Sequence, residues 1–160
     1  MLILFLAACN APLSTGPLAF RDPKAPIFSS AAFDPAALQG RWLQVADFGG
    51  PKSPDCASGA VDFSASASGL VVKGTICLDG RRHSISGLVG KAGPGRLAVA
   101  GMEDWWIVWV DSGYRTLAVG TPSGRFGFVL DRGAIPADRL NAAREVFDFN
   151  GYAVSALRPI

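Results

Sequence analysis

From residue 40 onward, apolar and polar positions alternate in short runs that are interrupted by turn-forming residues. Such period-two runs predict strands that bury one face. The first covers residues 40–48. A second precedes the turn-rich stretch Ser64-Ala65-Ser66-Ala67-Ser68-Gly69. Further runs span 69–77, 81–89, 96–102, 105–110, 114–120 and 125–132, giving eight in all. Asp79-Gly80 is the strongest two-residue hairpin signal among their junctions. Gly93-Pro94-Gly95, Glu103-Asp104 and Thr121-Pro122-Ser123-Gly124 punctuate the others. The period changes over 136–150, where Leu140, Ala143, Val146 and Phe147 fall on one helical stripe. Pro136 suits the first turn of that helix and Gly151 its end. Eight strands in sequential hairpins close into an up-and-down barrel without free edges, wide enough for one small ligand.

Placing the first hairpin's centre between Ser66 and Ala67 opposes Phe63 to Leu70, Val61 to Val72 and Cys56 to Cys77. The first four share an apolar face. Asp62, Lys73 and both cysteines share the other, so a Cys56–Cys77 disulfide would lie outside the barrel. The chain-entropy account gives such a bridge about 3 kcal/mol. Free thiols or metal ligands are the alternative, but no Cys-x-x-Cys or His-rich partner accompanies them.

The length of 160 residues accommodates one domain, and 19 glycines with 11 prolines suit short strands joined by tight turns. Formal charge is only +2. Basic residues are scattered apart from Arg81-Arg82, which argues against a nucleic-acid partner. The only histidine is His83, placed opposite Ile76 across Asp79-Gly80 on the inward face. There a contact to ligand or water competes with a merely structural role. No metal-binding set, Gly-x-Ser-x-Gly or phosphate-cradling loop occurs, so neither an enzyme nor a cofactor is indicated.

Three signatures occur in a telling order: Gly40-Arg41-Trp42 opening a strand, Asp111-Ser112-Gly113-Tyr114 between two strands, and Leu130-Asp131-Arg132 closing another. Together they resemble the lipocalins, and the helix and short final strand that follow resemble the bacterial envelope members of that family. The resemblance covers residues 33–160. It implies an all-β fold: an eight-stranded antiparallel up-and-down lipocalin barrel, with one C-terminal α-helix packed outside and a short final strand. It also implies that Trp42 and Arg132 meet at the closed end, where a guanidinium over an indole contributes about 1–2 kcal/mol. Gly40, Trp42, Asp111, Tyr114 and Arg132 are then structural markers. Matching the family pattern through Asp111 turns Trp105, Ile107 and Trp109 inward, and counting back from Arg132 does the same for Phe126 and Phe128. With Val61, Phe63, Leu70, Val72, His83 and Ile85 these form the expected ligand-binding set. Gly59, Gly74 and Gly87 are expected to leave room along the wall for one elongated apolar molecule. A filled core is the alternative.

The N-terminus, an apolar run ending in Leu6-Ala7-Ala8-Cys9, resembles a bacterial lipobox. That resemblance implies residues 1–8 as the remnant of a signal peptide, lipidation of Cys9, and a Pro-, Ala- and Ser-rich tether over 9–32 leading to the domain at 33–160. Spending Cys9 this way leaves an even pair of cysteines. The expected protein is a lipid-anchored carrier, facing the periplasm from the outer membrane, for a hydrophobic small molecule or lipid such as a fatty acid or lysophospholipid. Competing readings are a protein-interaction module on a filled barrel and, third, a lipid-modifying enzyme.

Overall fold

Nine strands form one continuous antiparallel sheet in the computed structural model, which describes residues 19–49, 56 and 58–160. The strands are β1 (Gly40–Phe48), β2 (Ala60–Ser66), β3 (Gly69–Leu78), β4 (Arg81–Gly93), β5 (Arg96–Val99), β6 (Trp105–Val110), β7 (Thr116–Gly120), β8 (Phe128–Asp131) and β9 (Leu157–Pro159). β1 to β8 pair in sequence, and β1 closes the barrel by pairing with both β2 and β8. β9 lies outside, on the last residues of β1, at Ala46↔Pro159 to Phe48↔Leu157. Helix α1 (Ala137–Phe149) follows β8, and a 3-10 turn over Pro35–Leu38 precedes β1. The eight-stranded antiparallel barrel, external helix and final strand are thus all present. No helix among the described residues is long and apolar enough to cross a membrane.

Two apolar layers result from the strand alternation. Trp42, Val61, Phe63, Val72, Ile76, Ile85, Leu97, Trp105, Ile107, Leu117, Phe128 and Leu130 fill the barrel. Ala46, Phe48, Val108, Ala118 and Val129 point outward and are covered by Ala143, Phe147, Tyr152, Leu157 and Phe20. The stripe Leu140, Ala143, Val146 and Phe147 faces the barrel as its spacing predicts.

Three sequence expectations change. The β2–β3 hairpin turns at Ala67-Ser68 rather than between Ser66 and Ala67, so Phe63 pairs with Val72 and Val61 with Gly74. Gly69, at φ +122°, closes this turn. A shift of two residues preserves the faces, which is why the apolar set still points inward. The Cys56–Cys77 disulfide is present, with Cα atoms 5.5 Å apart. Cys56, however, precedes a ladder that begins at Ala60↔Thr75, so the two are not opposed strand partners. Gln44 locks Cys77 in place, donating from Nε2 to its carbonyl (2.7 Å) and accepting from its N–H (2.8 Å).

In β6 the pairing slips between Ile107 and Trp109, because Val108 is bulged out of the ladder with β7. Trp105 and Ile107 face inward, but Val108 and Trp109 both join the outer layer and Val110 returns inside. Trp109 is therefore removed from the expected lumen.

The third change concerns the chain ahead of the barrel. Residues 1–18, including Cys9, lie outside the described residues. From Ala19, however, the stretch assigned by composition to a tether is docked on the domain. Phe20 donates to Gly124 O (2.7 Å) and accepts from Ala153 N (2.7 Å), and Ser30 donates to Ile107 O (2.7 Å). Buried Arg21 donates from Nε to Asn150 O (2.8 Å), from Nη1 to Pro122 O (2.8 Å) and from Nη2 to Ala25 O. The packed unit thus begins by Phe20 rather than Phe33.

Candidate binding site at the barrel mouth

The turns β3–β4, β5–β6 and β7–β8 meet at one end of an up-and-down barrel, and between them lies a cavity of about 410 Å³. Its lining is part apolar, from Phe20, Leu78, Met102 and Phe126, and part charged, from Asp79, Arg81, His83, Glu103 and Arg125. This volume falls within the range of small-molecule clefts.

Each wall is held by local chemistry. Asp79 (φ +50°) and Gly80 (φ +70°) form the tight turn that carries Arg81 and places His83 opposite Ile76. Glu103 reaches from the β5–β6 connection to Ser123, accepting from its N–H (3.2 Å) and its hydroxyl (2.5 Å). That carboxylate thereby binds two of the three turns together. Tyr152 clamps the β7–β8 connection at both ends: its hydroxyl accepts from Thr121 N–H (2.7 Å) and donates to Phe126 O (2.9 Å). Burial pushes the Tyr152 phenol up from its ordinary value, against the opposing effect of the Thr121 bonds. Gly127 is needed beside it, because a Cβ there would sit 2.9 Å from the Phe48 ring.

Below the mouth the interior is filled. Val61, Phe63, Val72, Ile85, Trp105, Ile107 and Phe128 are at most 3% exposed. Leu70 packs partly buried against them. Of the expected ligand-binding set, only His83 and Phe126 line the mouth cavity. Phe126 stacks on Phe128 (centroids 6.1 Å), which meets Trp105 edge to face (5.0 Å). Trp105 Nε1 is buried without an acceptor among the described residues. The glycines expected to give room do something else. A Cβ on Gly74 would lie 2.2 Å from Ala60 O, and one on Gly59 would lie 2.5 Å from Thr75 O. Both allow strands to approach closely, and on Gly87 a Cβ would meet Ala100 at 3.6 Å. The elongated channel along the wall is thus replaced by a compact cavity at the mouth.

At the other end the signature residues cooperate in closure. The Arg132 guanidinium lies 3.9 Å over the Trp42 ring. It also donates to Gln39 O (2.7 Å) and Ala37 O (3.0 Å), while Trp42 Nε1 donates to Leu38 O (2.7 Å). One arginine so ties the 3-10 turn to the end of β8. Gly40 has φ +102°, which L side chains rarely adopt, and a Cβ there would also lie 2.9 Å from Arg132 Nη1. Tyr114 stacks on Phe33 and accepts from Asp34 N–H (2.8 Å). Asp131 accepts from Thr116 Oγ1 (2.5 Å) and Arg139 Nη2 (3.2 Å), joining the barrel to α1.

Face alternation could not find Phe20, Leu78, Asp79, Arg81, Met102, Glu103 and Arg125, since most lie in or beside turns. The available signal was topological: in an up-and-down barrel alternate turns gather at the same end. No group of three or more His, Cys, Asp or Glu residues able to hold a metal occurs among the described residues.

The closed eight-stranded barrel, plugged at one end beneath Arg132 and Trp42 and carrying an external helix, has the lipocalin fold. Among solved structures it is similar to the cockroach major allergen Per a 4, with TM-score 0.61, 14% identity, and coverage of 87% of this chain and 95% of that one. Insecticyanin from the tobacco hornworm Manduca sexta gives TM-score 0.58 at 11% identity, covering 83% of this chain and 82% of its own. Lobster apocrustacyanin A1 gives 0.55 at 15%, covering 84% and 88%. These likenesses concern the fold. No protein-family model matches the sequence, and neither does any curated protein.

Proposed function

We propose that this chain binds a small hydrophobic or amphiphilic molecule, of the fatty-acid or lysophospholipid class, without transforming it. The observation that carries this reading is the mouth cavity of about 410 Å³, in which four apolar side chains lie beside charged ones. An amphiphile matches that division: its apolar part removes Phe20, Leu78, Met102 and Phe126 from water, and its polar part remains at the rim. The compact cavity favours a ligand seated at the entrance over one threaded through the barrel. The lipobox-like Leu6-Ala7-Ala8-Cys9 supports a bacterial envelope location, with lipid on Cys9 holding the protein on the outer membrane.

The filled interior favours a second reading, a rigid barrel whose open-end loops recognise a protein. Native mass spectrometry after mild detergent extraction of the full chain separates the two. A stoichiometric co-purifying lipid is expected. An empty barrel carrying a bound protein would overturn the carrier reading.

A further inference from the structure

The mouth cavity contains two guanidinium groups, Arg81 and Arg125, with no side-chain hydrogen-bond or ion-pair partner among the described residues. The remaining arginines of the N-terminal segment and the closed end are used: Arg21 and Arg132 each bind backbone carbonyls, and Arg115 and Arg139 bind Asp111 and Asp131. Each free guanidinium brings five N–H donors to a cavity whose apolar lining includes Leu78, Met102 and Phe126.

Two carboxylates share this lining and bear on the balance. Glu103 has both oxygens engaged by Ser123, so it serves the loop framework. Asp79 sits exposed at the tip of the β3–β4 turn, two residues from Arg81, and opposes the arginines. His83 lies on the same strand as Arg81 and adds a further polar edge.

We propose that the mouth recognises an anionic headgroup, a carboxylate or phosphate, between Arg81 and Arg125, with the attached apolar chain against Phe126, Met102 and Leu78. Planar guanidinium forks match both anions with paired hydrogen bonds. An apolar tail in contact with this lining excludes water from the head and strengthens those bonds relative to an open surface. This assignment rests on the ligand-binding reading above and adds to it the residues that recognise the ligand's charged head.

The test compares palmitate, hexadecanol, lysophosphatidate and butyrate, titrated into the folded protein and followed by tryptophan emission. Palmitate and lysophosphatidate should bind at least roughly fivefold more tightly than hexadecanol, a modest factor because the guanidiniums are exposed. Butyrate should bind far more weakly, since the head alone lacks the apolar contacts. Arg81→Gln and Arg125→Gln should each lower the palmitate-to-hexadecanol affinity ratio, and Asp79→Asn should raise it. Asn tolerates the positive φ of position 79, so the turn is kept. Using a ratio removes any shared effect of a substitution on folding. Hexadecanol binding as tightly as palmitate, or a ratio indifferent to all three substitutions, would overturn the anionic assignment while leaving the ligand reading intact. Absence of binding by all four would overturn both.

Discussion

Asp111, at the head of the β6–β7 turn, shows what the motif residues do one at a time. It accepts from the N–H groups of Arg115 and Thr116 (2.6 Å each) and Gly113 (3.3 Å), and from Arg115 Nε (2.9 Å). Burial raises its pKa, but these donors outweigh burial and hold the carboxyl below its ordinary value of 3.8. A carboxyl with a lower pKa folded than unfolded stabilises the protein above the unfolded value. That contribution is lost as pH falls from about 4 through the folded pKa. Asp111→Asn should therefore cost about 1–3 kcal/mol at pH 7, because an amide meets those N–H donors less well. It should also flatten the decline in stability below pH 4. Urea denaturation of both proteins from pH 7 to pH 2 checks this; parallel acid profiles would contradict it.

Among the elements, the N-terminal segment carries more of the structure than its Pro-rich composition announces. Arg21 is 6% exposed and joins three stretches of backbone, at Asn150, Pro122 and Ala25. Because Phe20 lines the mouth cavity, this latch also shapes the ligand site. Arg21→Ala should release the segment, with hydrogen exchange accelerating at the amides of Phe20 and Asp22, which donate to Gly124 O and Gly151 O. The β3–β4 amides should stay protected. Unchanged protection at Phe20 and Asp22 would show that Arg21 does not hold the segment. This element also marks the limit of pattern reading. Composition registers Pro and Ser and says nothing of a buried arginine that finds two of its three acceptors more than a hundred residues away. The barrel was legible because strand alternation and the Asp79-Gly80 turn are local signals, and β1 and β6 carry the expected bounds. Trp109 was misplaced because one bulged residue, Val108, reverses parity without interrupting an apolar run. The first hairpin was misregistered because a run of alternating Ser and Ala offers several equivalent centres.

At the scale of the whole molecule, the two ends of the barrel have separate tasks. Arg132, Trp42 and the 3-10 turn close one end, a wall of large side chains fills the middle, and the cavity opens at the other. The apolar lumen was legible in the sequence, but its being filled was not. Filling depends on how side chains from different strands meet across the barrel, as Trp105 and Phe128 do edge to face, which strand-by-strand periodicity does not encode. The central claim is that ligand binds at the mouth, and one paired substitution tests it most directly. Met102 lines the cavity, whereas Leu88, 53% exposed, lies on the outer surface of β4. Met102→Asp places a carboxylate where the apolar part of a ligand must sit, at a cost in lost hydration. Leu88→Asp adds the same charge where water already covers it. Fluorescence titration with palmitate, on variants shown to be folded, should give affinity at least tenfold weaker for Met102→Asp and unchanged for Leu88→Asp. Equal affinities in the two variants, or no saturable binding by the unsubstituted protein, would contradict the account.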